Sequence, residues 1–152
     1  MEHANKNVGA LLDRTLRLIK QRYILTFREA QVDLTPEQWV IIDQLVEHEG
    51  LSQTELANGS FKNAPTVSRI IDLLQKKGLL ERRPAPNDGR QRQIYLTAAG
   101  RALHAELQPR VLQLREMGWQ QLSEEDFITL QRILNQVFTN FSEREQEQRP
   151  EW

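Results

Sequence analysis

The chain has 152 residues, 39% hydrophobic and 27% charged, a balance typical of a single globular domain rather than a disordered chain. It contains no cysteine, which excludes disulfides, thiolate zinc sites and thiol-based redox sensing. No apolar run approaches a membrane span and the first residues lack the apolar core of a signal peptide, so we expect a cytoplasmic protein without membrane association.

The net charge of −1 hides an uneven distribution of charge along the chain. Residues 51–96 hold eight Lys and Arg against four Asp and Glu, whereas the rest of the chain holds 12 against 17. A cationic segment in an otherwise acidic protein is the pattern expected of a polyanion binder. Chance clustering on a solvated face would give the same distribution, so charge alone does not decide between the two.

The first two predicted elements are helices. Apolar residues recur every three or four positions over residues 6–29, which predicts one long helix. The second helix begins after Thr35, a predicted N-cap, with Pro36 at the first helical position and Gln38 completing a capping box. Gly50 is predicted to stop it.

Two shorter helices follow, joined by a tight turn. Ser52 and Glu55 are spaced as a second capping box, and Gly59 is predicted to end the helix that they begin. Asn63 is the predicted N-cap of the next helix, which stops at Gly78.

The helix after Asn63 has two distinct faces. Its predicted buried stripe comprises Val67, Ile70, Ile71 and Leu74, and its outward residues are Thr66, Ser68, Arg69 and Asp72. Two helices joined by a short turn, the second beginning with small polar and basic residues, predict a helix-turn-helix. Such a helix fits the major groove of DNA, where residues at its N-terminal end reach the base edges first.

The segment RRPAPNDGRQRQIYLT, residues 82–97, contains a turn rich in Pro, Asn, Asp and Gly between two short strand-like runs, which predicts a two-stranded hairpin. A hairpin directly after a helix-turn-helix makes it a winged one. Arg90 is predicted to enter a minor groove, with the Asp88 carboxylate orienting its guanidinium, and Arg82 and Arg92 to contact phosphates.

The last two predicted helices restart at Thr97 and Ser123. The final helix carries apolar residues at alternating spacings of three and four: Phe127, Leu130, Leu134, Val137 and Phe141. This narrow seam is typical of a helix that packs along another helix. Together with the broad apolar surface of the first helix it predicts a homodimer. A compact monomer whose terminal helices cover the core is the alternative.

Residues 51–100 resemble the DNA-binding core of the MarR family of bacterial transcriptional regulators. The matching pieces are TVSRIIDLLQKKGLLER, the acid-x-arginine DGR of the wing, and YLTAAG. The flanking helices have the lengths and order of that family, so the resemblance extends over nearly the whole chain. It implies a single MarR-type domain over residues 1–152, mainly α, with dimerisation helices at 6–34 and 98–143 and a winged helix-turn-helix at 35–97.

The resemblance also implies a homodimeric regulator that binds a pseudo-palindromic operator in double-stranded DNA, most simply a repressor released by a small-molecule effector. The residues expected to contact DNA are Ser52, Gln53, Lys62, Asn63, Thr66, Ser68, Arg69, Arg82, Asp88, Arg90 and Arg92. KNAP at the start of the recognition helix is a variant of the family pattern. The family's ligand cleft, between the dimerisation helices and the winged domain, makes Tyr23 and Trp39 candidate effector contacts, although both residue types more often belong to a core.

Other functions have weaker support in the sequence. His3, His48 and His104 are scattered, with no shared spacing for a metal, so neither a metal nor a cofactor is expected. No nucleophile elbow or phosphate-binding loop occurs, so catalysis is not expected. A winged helix that acts as a protein-interaction or adaptor module without DNA binding is the remaining alternative. The polar wing, lacking apolar hot-spot residues, favours nucleic acid.

Overall fold

The computed structural model of the protein describes the backbone of residues 6–147 and the side chains of residues 6–143. The helices in this part of the chain are α1 (Val8–Glu29), α2 (Pro36–Glu47), α3 (Gln53–Ser60), α4 (Ala64–Lys76), α5 (Ala98–Gly118) and α6 (Glu124–Glu147). The strands are β1 (Leu51–Ser52), β2 (Leu80–Ala85) and β3 (Asp88–Leu96). The predicted mainly helical winged helix-turn-helix is confirmed. None of the described helices is both long and apolar enough to cross a bilayer.

Local capping determines where α2 begins. Thr35 Oγ1 accepts a hydrogen bond from the Gln38 backbone N–H, and Gln38 Oε1 accepts one from the Thr35 N–H, both at 3.1 Å. This is the predicted capping box, with Pro36 at the first helical position. The helix ends at Glu47, ahead of Gly50, whose φ of 77° is left-handed.

The predicted hairpin is confirmed as β2 and β3, and the strand β1, which was not predicted, extends it to a three-stranded antiparallel sheet. The strand order is β1-β3-β2, so β3 is central. Leu51 pairs with Ile94, and Leu80 pairs with Leu96. A two-residue strand such as β1 is too short to produce a periodic pattern in sequence.

The chain divides into two compact units, Met1–Leu114 and Arg115–Trp152. The first contains one buried apolar core to which α1 to α5 and the sheet contribute. Its largest fully buried side chains are Trp39, Phe27, Ile41, Ile42, Leu45, Leu56, Ile71, Leu74, Leu80, Ile94, Leu96 and Leu107. Because α3, α4 and β3 all pack into this one core, the winged helix is held as a rigid body.

The start of α5 is fixed against the end of the α4–β2 turn. The Thr97 hydroxyl donates to the Gly78 carbonyl at 2.6 Å, and the Thr97 N–H donates to the Leu79 carbonyl at 3.1 Å. Gly100 lies so close that an added Cβ would overlap the Leu79 carbonyl oxygen. The helix continues through Pro109 to Gly118.

In the second unit, Ser123 caps α6, the helix that was predicted to start at this residue. Its hydroxyl accepts from the Asp126 N–H at 3.2 Å, and its own N–H donates to the Asp126 carboxylate at 2.8 Å. The hydrogen bond from the Ser123 backbone, followed by that from its side chain, lowers the pKa of Asp126 below its ordinary value. Trp119 packs edge-on against Phe127, with ring centroids 5.5 Å apart.

Apolar side chains of α6 are widely exposed in the single copy of the chain. They include four residues of the predicted seam, namely Leu130, Leu134, Val137 and Phe141, and three others, Ile128, Ile133 and Phe138. The exposed apolar surface is therefore broader than the narrow seam expected from spacing.

Candidate nucleic-acid interface

The turn between α3 and α4 has the geometry of a helix-turn-helix, built from local hydrogen bonds. At the start of α3 the Ser52 hydroxyl accepts from the Glu55 N–H at 3.1 Å, and the Glu55 carboxylate accepts from the Ser52 N–H at 2.7 Å. At the start of α4 the Asn63 side chain accepts from the Thr66 N–H at 2.9 Å. Both predicted caps are thereby confirmed.

The predicted end of α3 at Gly59 is wrong. The helix runs to Ser60, and the residue in the left-handed conformation after it is Phe61, with φ 56° and ψ 33°. Gly59 lies inside the helix, where an added Cβ would overlap the Gln44 side chain of α2. Gly59 is therefore an ordinary helical residue and not the left-handed residue of the turn, a difference that its residue type alone does not show.

The two faces of α4 separate as predicted. Val67, Ile70, Ile71 and Leu74 are buried. Arg69 and Asp72 are exposed, whereas Thr66 and Ser68 are half-buried. At the N-terminal end, Asn63, Ala64 and Pro65 are exposed. The accessible tip of α4 therefore consists of short side chains, which allows the helix backbone to approach a binding partner closely.

Lys62 lies close enough to the first turn of α2 for its charge to act on the Glu37 carboxylate. Burial alone would raise the pKa of Glu37, but the Lys20 ammonium 2.6 Å from its carboxylate, its own backbone N–H and the charge of Lys62 lower the pKa below its ordinary value. The side chain of Lys62 is half-buried. Its charge is partly balanced by the Glu37 carboxylate.

Arg82 is bonded inside the winged helix rather than directed outward. Its guanidinium is 2.6 Å from the Asp72 carboxylate of α4 and also donates to the Gln75 side chain. It lies 3.3–3.4 Å from Gln53 Oε1 at the start of α3. The Arg82 side chain is only 22% exposed. One guanidinium therefore connects α3, α4 and β2, a role that sequence reasoning missed when it assigned the residue to phosphate.

The neighbouring arginine of β2, Arg83, was not among the predicted site residues. It is ion-paired with Glu81 and lies over the Tyr95 ring, 4.2 Å from its centroid. Successive residues of a strand point to opposite faces, so Arg82 and Arg83 have separate surroundings.

The tip of the wing carries free cations. Arg90 and Arg92 are exposed, and neither has an ion-pair partner among residues 6–143. Asp88 does not hold the Arg90 guanidinium as expected, because its carboxylate accepts a hydrogen bond from the Arg90 backbone N–H at 3.0 Å. This contact spans two residues and fixes the turn, a local role typical of aspartate.

The two predicted effector contacts lie at the core. Trp39 is 1% exposed and stacks on His104, with ring centroids 4.8 Å apart, while Tyr23 packs edge-on against Phe27. His104, considered in the sequence only as a metal ligand, is buried and lies 2.8 Å from the Asp43 carboxylate. The Trp39 Nε1–H is buried and has no hydrogen-bond partner among the described residues.

An open cleft of about 440 Å³ lies at the junction of α1 and α2. Its lining residues are Ile24, Arg28, Gln31, Val32, Asp33, Leu34 and Thr35. Neither Tyr23 nor Trp39 lines this cleft. Within the described residues no group of three or more His, Asp or Glu could hold a metal ion, and His3 lies outside that part of the chain.

Known proteins are similar to this chain in sequence and in fold. The model of the MarR family matches residues 32–91. The transcriptional regulator FarR of Neisseria gonorrhoeae is 29% identical over 136 residues, covering 90% of each chain. BpsR of Bordetella bronchiseptica, solved in a study of how 6-hydroxynicotinic acid regulates its DNA binding, is 24% identical with a TM-score of 0.75, over 89% of this chain and 95% of BpsR.

A second solved structure with the same fold is the transcriptional repressor CouR bound to a 23-mer DNA duplex. It is 24% identical with a TM-score of 0.72, over 90% of this chain and 97% of CouR.

Proposed function

We propose that the chain, which is similar to the MarR family of transcriptional regulators, is a homodimeric repressor that binds a pseudo-palindromic operator in double-stranded DNA. The observation that carries this proposal is the wing, where Arg90 and Arg92 are exposed next to a helix-turn-helix with a short-side-chain tip. CouR, with the same fold, is a repressor solved on duplex DNA. The proposed target, chromosomal DNA, implies a cytoplasmic location.

In this proposal residues 35–97 form the DNA-binding core. The tip of α4 enters the major groove, where Asn63, Thr66, Ser68 and Arg69 read base edges. Ser52, Gln53 and Lys62 lie beside the phosphate backbone. Arg90 enters the adjacent minor groove and Arg92 contacts a phosphate, with Asp88 shaping the turn. Arg82 acts indirectly, by holding the wing against α4.

Residues 6–34 and 98–143 form the dimerisation helices. The exposed apolar side chains of α1 and α6 support this assignment, since monomeric proteins rarely leave contiguous apolar surface in water. A two-fold dimer places two recognition helices about one helical turn of DNA apart, which matches a pseudo-palindromic site.

The test is recovery of bound fragments from sheared genomic DNA, followed by titration of one recovered operator with wild type and Arg90→Ala. We expect the substitution to weaken binding by roughly 1–3 kcal/mol. Wild-type affinity should also fall steeply between two salt concentrations, because phosphate contacts release counterions.

Arg101→Ala is the matched control, since it removes an equal charge from α5, where Arg101 is ion-paired with Glu49. Equal operator affinity of wild type and Arg90→Ala at both salt concentrations would contradict the wing's role. Failure of the wild type to retain any duplex would refute the whole function and favour the adaptor alternative.

We further propose that a small organic effector releases the operator through the aromatic cluster of Tyr23, Trp39 and His104. The support is the buried Trp39 indole N–H without a partner among the described residues, because such a donor is costly until an acceptor reaches it. BpsR, with the same fold, is regulated by 6-hydroxynicotinic acid, so this compound and other aromatic acids are suitable first probes.

Trp39→Phe tests this arrangement, because it removes the N–H and keeps an aromatic ring. We expect the variant to bind the operator like wild type but to need at least severalfold more effector for release, measured by fluorescence anisotropy of labelled operator. An unchanged effector response in a folded variant would exclude Trp39 as a donor to the ligand.

A further inference from the structure

Phe61 is the most exposed of the large apolar side chains in the described residues, with 90% of its surface accessible. It follows α3 directly and precedes Lys62 and the cap of α4. Within the described part of the fold the ring makes no contact with another aromatic ring or with a cation. A phenylalanine so exposed is unfavourable in water.

The backbone of Phe61 is also unfavourable for its residue type. The Lys62 N–H donates to the Ala57 carbonyl and the Phe61 N–H to the Asn58 carbonyl, the pattern that ends a helix with one left-handed residue. The same hydrogen-bond pattern ends α4, where Gly78 occupies that position with φ 74°. Glycine adopts this conformation without steric cost, whereas phenylalanine at φ 56° does not. Folding alone therefore favours glycine at position 61.

The dimer proposed above does not explain this side chain. Most other exposed large apolar residues lie on α1, α5 and α6. Phe61 lies instead in the helix-turn-helix, next to Lys62 and to the exposed Asn63 at the tip of α4. The position of Phe61 places it at the edge of the surface assigned to DNA.

We propose that Phe61 is a DNA contact, packing its ring against apolar groups of the operator at the edge of the major groove. The inference rests on the proposed function and adds to it a nonionic contact among cationic ones. Duplex DNA offers two apolar groups there, the thymine 5-methyl and the deoxyribose. Phenylalanine is one of the side chains that contact the thymine methyl. Burial of the ring on binding offsets the cost of holding it exposed in the free protein.

The test compares Phe61→Gly with wild type and with Lys62→Ala on an operator recovered with the wild-type protein. We expect Phe61→Gly to unfold at a temperature no lower than wild type, because glycine relieves the left-handed backbone. Its operator affinity should fall roughly tenfold, the size of one good base-edge contact.

The salt dependence of binding identifies the chemistry. Phe61→Gly should leave the slope of log affinity against log salt unchanged, because no phosphate contact is lost. Lys62→Ala should lower that slope by about one for each phosphate contact removed. A parallel loss of slope in Phe61→Gly would mean that the substitution disturbs Lys62, and would overturn the apolar contact.

Replacing thymines of the operator by uracil distinguishes the two DNA groups. A loss of affinity in wild type that is absent in Phe61→Gly assigns the ring to a thymine methyl. Unchanged wild-type affinity, with Phe61→Gly still weaker, assigns it to deoxyribose.

Three further outcomes overturn the inference. Equal operator affinity of wild type and Phe61→Gly removes it while leaving the proposed function intact. A changed oligomeric state of Phe61→Gly in sedimentation would assign the ring to a protein interface. If wild type binds no duplex at all, the proposed function and this inference fail together.

Discussion

Arg82 holds three elements of the winged helix together through one guanidinium group. Its partners, Asp72 and Gln75 on α4 and Gln53 on α3, lie on helices that precede the strand carrying the arginine. A planar fork of five donors suits this task, and a lysine ammonium does not reproduce it. The relative position of α4 and the wing depends on this contact, and so does the joint fit to two DNA grooves proposed above.

We expect Arg82→Ala to lower the free energy of unfolding by about 1–2 kcal/mol, because it removes hydrogen bonds to a partly buried charged group. Chemical denaturation with urea measures this. Arg92→Ala is the matched control on the same hairpin and should change stability by less than about 0.5 kcal/mol while weakening operator binding. If Arg82→Ala and Arg92→Ala unfolded at the same urea concentration, the guanidinium would have no net stabilising role.

Residues whose roles depend on near neighbours were predictable, whereas those with distant partners were not. Thr35, Ser52 and Asn63 cap helices through atoms three residues away, so spacing alone identified them. Arg82 meets Asp72 across a turn, and an outward cation looks the same in sequence whether it meets a carboxylate or solvent. The left-handed Phe61 has no signal in its residue type, which is why the end of α3 was misplaced.

At the scale of elements, the junction of α5 with the start of β2 allows little freedom. Thr97 bonds the Gly78 and Leu79 carbonyls, and Gly100 brings the α5 backbone against the Leu79 carbonyl one turn later. The sequence indicated that a helix starts here, but it did not indicate why glycine is required, because the constraint comes from a residue 21 positions earlier. The short strand β1 was missed for the related reason that pairing with β3, not its own pattern, defines it.

We expect Gly100→Ala to destabilise the protein by roughly 1–3 kcal/mol, the usual cost of forcing an extra carbon into a packed site, here against backbone that cannot rotate away. Thermal unfolding followed by circular dichroism measures the change. Gly9→Ala in α1 is the control, since nothing lies within 4 Å of its added Cβ, and it should not destabilise. A melting temperature of Gly100→Ala equal to that of wild type would mean that α5 shifts freely.

At the scale of the whole molecule, the single chain leaves too much apolar surface in water. Exposed leucines and valine on α1 and exposed aliphatic and aromatic residues on α6 are separated in sequence by the entire winged helix. The spacing of apolar residues predicted a packing surface on α6 but not its width. The seam is defined by a seven-residue repeat, and that repeat does not include the apolar residues that flank it. The proposed dimer would bury both helices.

Leu134→Glu places a charge in the middle of the predicted seam, where the side chain is 40% exposed in the single copy. We expect the dimer dissociation constant to rise at least tenfold, measured by sedimentation velocity across a dilution series, because a buried unpaired carboxylate is costly. The melting temperature of wild type should also rise with protein concentration.

Asn135→Glu, one position further along α6, is the control for added charge, and it should leave dimerisation closer to wild type. A wild-type protein that sediments as a single subunit at all concentrations would contradict the dimer.

The central place of β3 in the sheet has a consequence for how such proteins diversify. The base of β3 is hydrogen-bonded to β1 on one side and to β2 on the other. Substitutions in that part of the strand therefore affect the core. Residues 86–91 at the tip are all exposed. Mutation can therefore change the tip, and with it the DNA contact proposed for the wing, without disturbing the core.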